Sequence, residues 1–341
     1  MLLFQRNAPT VIALTLSAAA CTVAPADATS GATNDDDSAR IGQASEALTS
    51  GLVSSRKPDG MILSTGNLYF TSHDAATATV WRTAQSSSPG QEILLYSEAG
   101  AVFGDLVYAN VGGSWWGYLF CQNAGLVAIK RVPLTGGAAT TLAVVKNVDV
   151  LNSHRNLITD GVSLFWQDDV SVRKMPIGGG TVTVLDTTTP NTPTAGLALQ
   201  NGNVIYASSN AIRYVPVGGA LTVPLLRTIV NAASRVTALY AVSNGVYWGE
   251  NSGAVRVRVG SATTTLPSTP GLVPTSISTN GYTAGAAQAW TQCAGSSCRL
   301  QYAFPAWNAS VPIAAGALGV TVTSTGYVYY GDDGGVHRQV F

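Results

Sequence analysis

Asp160–Val184 reads DGVSLFWQDDVSVRKMPIGGGTVTV, and two later stretches repeat its phrasing: Asn201–Val223 (NGNVIYASSNAIRYVPVGGALTV) and Asn244–Thr265 (NGVYWGENSGAVRVRVGSATTT). Each opens on a Gly turn and runs through β-formers to an aromatic. A polar turn follows, then an apolar-x-basic strand that often closes on Pro and Gly-Gly. Short alternation bounded by Gly, Asn, Asp and Ser is strand-and-turn sequence, and nothing past the leader sustains a helical period.

Extending the phrase in both directions gives seven aromatic anchors: Phe70, Phe120, Trp166, Tyr206, Trp248, Trp290 and Tyr330, spaced 50, 46, 40, 42, 42 and 40 residues apart. Apolar-basic pairs follow them at Ile129-Lys130, Val172-Arg173, Ile212-Arg213 and Val255-Arg256, with weaker copies at Val80-Trp81-Arg82, Cys298-Arg299 and Val336-His337-Arg338. Gly136-Gly137, Gly178-Gly179 and Gly218-Gly219 suit tight hairpins. A four-stranded unit of about 40–45 residues repeated around an axis is a propeller blade. The sequence therefore predicts an all-β, seven-bladed β-propeller over residues 46–341. Each anchor belongs on a second strand, filling the wedge between sheets, and the recurring base on the third strand serves the blade.

The ends predict how the ring closes. Ala317–Ser324, Gly326–Asp332 and Gly335–Phe341 supply three strands of blade seven, while Met61–Ser64 begins blade one. Glu46–Ser55 is left to provide the missing outermost strand, so that the two ends of the chain pair and no edge stays open.

The first 26 residues carry an address. Thr10–Ala20 (TVIALTLSAAA) is apolar or small, follows a segment whose one charge is Arg6, and is too short to span about 30 Å of hydrocarbon. It reads as a signal peptide, residues 1–20. Leu16–Cys21 resembles a bacterial lipobox, with Ala18 where Leu is usual, which makes Cys21 the lipid-anchor site. Cleavage at Ala24-Pro25-Ala26 would instead discard Cys21 and release the chain. Both routes predict a bacterial cell envelope or secreted location. Residues 21–45 are almost free of large apolar side chains and read as a flexible linker, with Asp35-Asp36-Asp37 as solvated charge.

Composition excludes some partners. The 18 basic and 18 acidic residues cancel, and removing residues 1–20 takes only Arg6, leaving 17 against 18. No basic excess exists to follow phosphates, so nucleic acid is not expected. Membrane contact is expected only through the lipid anchor, and the chain reads as a monomer.

Val246-Tyr247-Trp248-Gly249-Glu250, echoed by Val328-Tyr329-Tyr330-Gly331-Asp332 and Leu68-Tyr69-Phe70-Thr71, resembles the Tyr-Trp-Thr-Asp repeat of low-density-lipoprotein-receptor-type propellers. The texture of residues 60–341 also resembles TolB-like propellers of bacterial envelope lipoproteins. Those relatives usually have six blades, so seven departs from their pattern. The resemblance implies fold and a habit of binding partners, and it carries no catalytic residue across.

Chemistry has few candidates. Cys293 and Cys298 flank a four-residue turn and are expected to form a disulfide in an oxidising compartment. Cys121, beside an anchor, reads as a buried thiol. The three histidines are His73, His154 and His337, and no H-E-x-x-H, G-x-S-x-G or P-loop occurs. In a propeller the turns between second and third strands share one end of the ring with the connections between blades. That end carries His73, Asp74, Asp168, Asp169, Glu250, Asp332 and Asp333, with His154 on a connection. Such a collar around a central channel could hold Ca²⁺, the one cofactor considered, or a polyhydroxylated ligand. The simpler reading is that Asp, Asn and Gly are what tight turns use. The function expected is a protein- or glycan-binding platform without an assigned catalytic residue. The alternatives are a propeller-type hydrolase or lyase with a metal-assisted site at the channel, and a lectin with equivalent pockets in several blades.

Overall fold

The structure, a computed structural model, describes residues 51–340 except 65, 86–87, 147, 149, 151–154, 188–194, 220–227, 280–286, 305–306, 317–318 and 323–326. The leader, Cys21, the linker and His154 lie outside the described residues. Leu48–Phe341 forms one compact unit.

The chain opens on β1 (Gly51–Ser54) and then builds blade one from β2 (Gly60–Ser64), β3 (Asn67–His73), β4 (Thr77–Ala84) and β5 (Ile93–Ala99). Blade two is β6 (Ala101–Val111), β7 (Ser114–Asn123), β8 (Leu126–Pro133) and β9 (Thr140–Val145). Blade three is β10 (Leu157–Thr159), β11 (Ser163–Gln167), β12 (Ser171–Pro176) and β13 (Thr183–Thr187). Blade four is β14 (Leu197–Gln200), β15 (Asn203–Ser208), β16 (Ala211–Pro216) and β17 (Thr228–Asn231). Blade five is β18 (Val236–Val242), β19 (Gly245–Glu250), β20 (Val255–Val259) and β21 (Ala262–Leu266). Blade six is β22 (Val273–Thr279), β23 (Gln288–Ala294), β24 (Ser297–Phe304) and β25 (Trp307–Ile313). Blade seven has β26 (Val320–Val322), β27 (Tyr327–Asp332) and β28 (Gly335–Val340), with β1 paired antiparallel to β28 as its fourth strand.

Seven four-stranded antiparallel sheets result, and the first strands of successive blades abut one another around the axis. The predicted seven-bladed propeller, closed by an N-terminal strand, is the observed fold. Closure is tight. Val53 is buried, and a Cβ on Gly335, whose φ is +128°, would lie 2.1 Å from the Ser54 carbonyl oxygen.

All seven anchors lie on second strands and all are buried. Six of them face the preceding blade. Phe70 packs with Tyr329 and Val336 of blade seven, Trp166 with Tyr118 and Ile129 of blade two, and Tyr206 with Phe165 of blade three. Trp248, Trp290 and Tyr330 do the same against blades four, five and six. A fully buried large apolar side chain contributes about 1.5–3 kcal/mol, so this one position, repeated round the ring, accounts for much of the cohesion between blades.

Phe120 is the exception. A bulge on the fourth strand recurs opposite Val80/Trp81, Ile129/Lys130, Val172/Arg173 and Ile212/Arg213 and fixes equivalent positions. By that register Leu119, paired with Lys130, takes the place that Trp166, paired with Arg173, holds in blade three. Leu119 packs back on Tyr69 and Val80, while Phe120 faces forward onto Leu157 and Trp166. A one-residue offset flips a strand side chain to the other face, which turns Phe120 forward; counted from Leu119 the spacings become 49 and 47.

Since strands alternate in direction, the turns between second and third strands and the connections between blades share one end of the ring, here the crossover end. Turns between first and second and between third and fourth strands form the opposite, hairpin end.

Candidate functional site

The predicted ligand face is the crossover end, and its acids are organised by the anchors. The second residue past the anchor is Ser72, Cys121, Asp168, Ser208, Glu250, Gln292 and Asp332 in blades one to seven, counting from Leu119 in blade two, and all seven are buried. Where it is an acid, it reaches the base that pairs across from the anchor in the same blade. Asp168 Oδ1 accepts the N–H groups of Val170 (3.0 Å) and Ser171 (2.8 Å), and its other oxygen takes Arg173 Nε. Glu250 accepts from Trp248 Nε1 (3.0 Å), Arg256 Nε (2.9 Å) and the Ser252 hydroxyl (3.3 Å). Asp332 contacts His337 Nε2 at 2.8 Å and accepts the N–H groups of Gly334 and Ala314. The His337 ring stacks on the anchor Tyr330, centroids 4.9 Å apart. Burial alone would raise the Asp332 carboxyl; the His337 hydrogen bond and charge, with the two N–H donors, outweigh it and hold the group below its ordinary value.

Two of the four blades without such an acid reach one in the preceding blade. In blade two, where Cys121 fills the place, Lys130 pairs with Glu98 on the outer strand β5 of blade one. Burial would push Glu98 up, but hydrogen bonds from Lys130, Asn123 and Tyr96 bring it down to about 2. In blade four Tyr206 donates to Asp186 of blade three at 2.6 Å, with Arg213 beside the hydroxyl.

The segment joining β1 to blade one is clasped from both sides. Lys57 pairs with Asp333 at 2.7 Å, the Arg56 guanidinium lies 3.8 Å from the Trp81 ring centroid, and His73 Nδ1 meets Asp59 Oδ2 at 2.6 Å. Burial raises Asp59, and pairing with His73 only partly offsets it. Asp74 is exposed and accepts the N–H groups of Ala76 and Thr77, both at 2.8 Å, and Asp169 is exposed as well. The structure thus brings His73 to Asp59, His337 to Asp332 and Lys57 to Asp333, and gives Asp168 and Glu250 separate partners. Among the described residues no three His, Cys, Asp or Glu side chains stand close enough to hold a metal ion.

Sequence reading missed Asp105. It sits in the β6 bulge between Phe103 and Leu106, is buried, and accepts the backbone N–H groups of Arg155 (2.9 Å) and Asn156 in the connection into blade three. Asn156 in turn bonds both backbone groups of Gln167, whose side-chain amide reaches the Ala207 carbonyl of blade four (3.2 Å). On the other side Thr71 of blade one donates to Gly104 O at 3.0 Å. One polar chain therefore ties four consecutive blades. Burial pushes the Asp105 carboxyl up to about 6 despite its N–H donors. Arg155, at φ 58°, places its guanidinium 4.3 Å from the ring centroid of Tyr240, an inner-strand residue of blade five. A lone acid inside the apolar run Val102–Ala109 was the available signal.

Cys293 and Cys298 are directly opposite in the β23–β24 ladder and disulfide-bonded, as expected. Cys121 is buried, and burial raises its thiol to about 11, far from a nucleophile's range.

Solved structures share this architecture. The WD40 propeller domain of Doa1 matches with a TM-score of 0.60 at 11% identity, over 86% of this chain and 97% of that one. What they have in common is the propeller. A chain of the mitotic checkpoint complex gives 0.58 at 12% identity over 86% of this chain and 94% of that chain. Raptor of Chaetomium thermophilum gives 0.56 at 11%, and there 85% of this chain corresponds to only 28% of the Raptor chain. At such identities the likeness is one of fold, the β-propeller. No protein-family model and no curated protein matches the sequence, so neither the TolB-like nor the Tyr-Trp-Thr-Asp resemblance gains support beyond the fold.

Proposed function

We propose that this chain is an exported propeller, tethered to the bacterial envelope through Cys21, that works as a binding platform for protein or glycan rather than as an enzyme. One observation carries the reading. The buried carboxylates that a reaction or a metal would recruit, Asp168, Glu250 and Asp332, are each committed to a base, and besides it to backbone N–H groups at Asp168 and Asp332 and to the Trp248 N–H and Ser252 hydroxyl at Glu250. What remains for a partner is the surface of the ring, held rigid by those bonds. Export is supported by the signal-like leader and by the Cys293–Cys298 bond, which is at home in an oxidising compartment.

The test is fractionation of the full chain and its Cys21→Ser variant in a bacterial host, with mass analysis of the mature N-terminus. The expected result is a diacylglycerol-bearing Cys21 in the membrane fraction and a soluble, exported variant. Release of both chains, cut after Ala26, would remove the tether and keep export. Retention of both in the cytoplasm with Cys293 and Cys298 reduced would overturn the reading.

A further inference from the structure

The hairpin end differs from the crossover end in chemistry. Among its described turn residues the only charges are Glu92 and Asp160, and no charged residue occurs between Asp105 and Lys130. Within that neutral stretch the β6–β7 hairpin overhangs its neighbours. Its ladder continues five residues past the anchor level, from Leu106–Leu119 to Val111–Ser114. In blades one, four and five the same ladder ends three residues past it, at Ser64–Asn67, Gln200–Asn203 and Val242–Gly245. Two further residues at about 3.3 Å each add about 7 Å of reach.

The tip is aromatic. Trp115 is 49% exposed, and its ring centroid lies 5.4 Å from that of Tyr108. Trp116, on the opposite face, carries the guanidinium of Arg131, the nearest charge, 4.3 Å from its centroid. Ile93 and Leu94 of blade one and Val162 of blade three are also exposed at this end. A further fact concerns the chain itself. β1 runs from the hairpin end toward the crossover end, so the described chain begins at the hairpin end, with 50 residues preceding Gly51.

From these observations we infer that the β6–β7 hairpin docks on the surface of an uncharged lipid bilayer, with Trp115 and Tyr108 in the headgroup region. Tryptophan and tyrosine favour that zone because the ring is apolar and its N–H or O–H is wet. A reach of about 7 Å matches the 5–10 Å to which interfacial segments sink. The hairpin carries no charge of its own, and the bases that reach this end, Arg131, Lys174, Arg258 and Arg338, are engaged by the Trp116 ring or by turn carbonyls, so its docking calls for neutral rather than anionic lipid. One interfacial contact is weak alone and becomes effective beside a second attachment, as with paired membrane signals. The orientation in the cell rests on the proposed tether through Cys21; the contact itself does not. With the hairpin end against the bilayer, the crossover end faces outward to partners.

The test uses residues 41–341, which include the whole compact unit and lack both leader and Cys21, with phosphatidylcholine vesicles and their bromolipid counterparts. Expected are co-sedimentation at millimolar lipid, bromine quenching of tryptophan emission, and at least a fivefold loss of both in Trp115→Ala with an unchanged thermal melt. Trp115→Tyr should retain part of the binding, and 0.5 M NaCl or added phosphatidylglycerol should not strengthen it. Absence of partitioning, or equal partitioning by Trp115→Ala, overturns the inference. So does protection of Trp115 by a soluble neutral β-glucan or a protein ligand while vesicles give none. Vesicle binding by this chain together with an unlipidated Cys21 in cells would uphold the contact and remove the tether, so the two failures are distinguishable.

Discussion

The two ends of the ring use the same fold in opposite ways. At the crossover end acids are plentiful, buried and bonded: Asp168, Glu250 and Asp332 each hold a turn shut, and Asp105 links the connection of one blade to the next. At the hairpin end the described turn residues carry only two charges, the bases that reach it bind turn carbonyls, and an exposed tryptophan stands on the long β6–β7 ladder. Buried carboxylates signal rigidity here, and the neutral end carries the uncommitted apolar surface.

That contrast can be broken by substitution. The largest effect is expected where the crossover end meets the closure: a chain starting at residue 57, which lacks β1, should lose about 5 kcal/mol or more against one starting at residue 41, because a buried edge and Val53 are exposed together. Equal melting of the two chains would refute the closing strand. Next comes Arg256→Met, which leaves Glu250 buried without its base; urea unfolding should show a loss of about 3 kcal/mol. Gly249→Val should cost a similar amount, since even a Cβ there would lie 2.3 Å from the Pro274 ring.

Asp105 sharpens the comparison through pH. Its folded carboxyl titrates near 6 and its unfolded one near 4, so the folded state binds the proton more tightly. Its contribution is complete below about pH 4 and is lost as pH rises through about 6, an effect on the order of 2–3 kcal/mol. Asp105→Asn should flatten the stability curve in that window, and an unchanged slope would assign it elsewhere. Reducing Cys293–Cys298 opens only a short loop and should cost about 2 kcal/mol or less. Smallest of all, Trp115→Ala at the hairpin end should move stability by no more than about 0.5 kcal/mol, as expected of an exposed side chain.

The repeat, the blade number and the closing strand were legible in the chain because each rests on local pattern: an aromatic every 40 to 50 residues, a Gly turn, and a leftover segment ahead of Met61. The partners of the acids were less so. That Asp168 faces Arg173 follows from hairpin register once the anchor is known, because the acid stands two residues past the ring and the base lies across from it. Lys130 could not be assigned to Glu98 in the same way, since that pair joins different blades 32 residues apart. Asp105 and the overhang of β6–β7 were hidden for the same reason. A bulge or two extra ladder pairs alter nothing in composition, and only the assembled ring shows which neighbour they meet.

The most direct test of the contrast between the ends is amide hydrogen exchange on residues 41–341 with and without phosphatidylcholine vesicles. The account predicts slow exchange at the crossover end, in the turns after β11, β19 and β27, whether or not lipid is present, with lipid-dependent protection confined to residues 107–118. Lipid-dependent protection around Asp168, Glu250 and Asp332, with none in the β6–β7 hairpin, would contradict it.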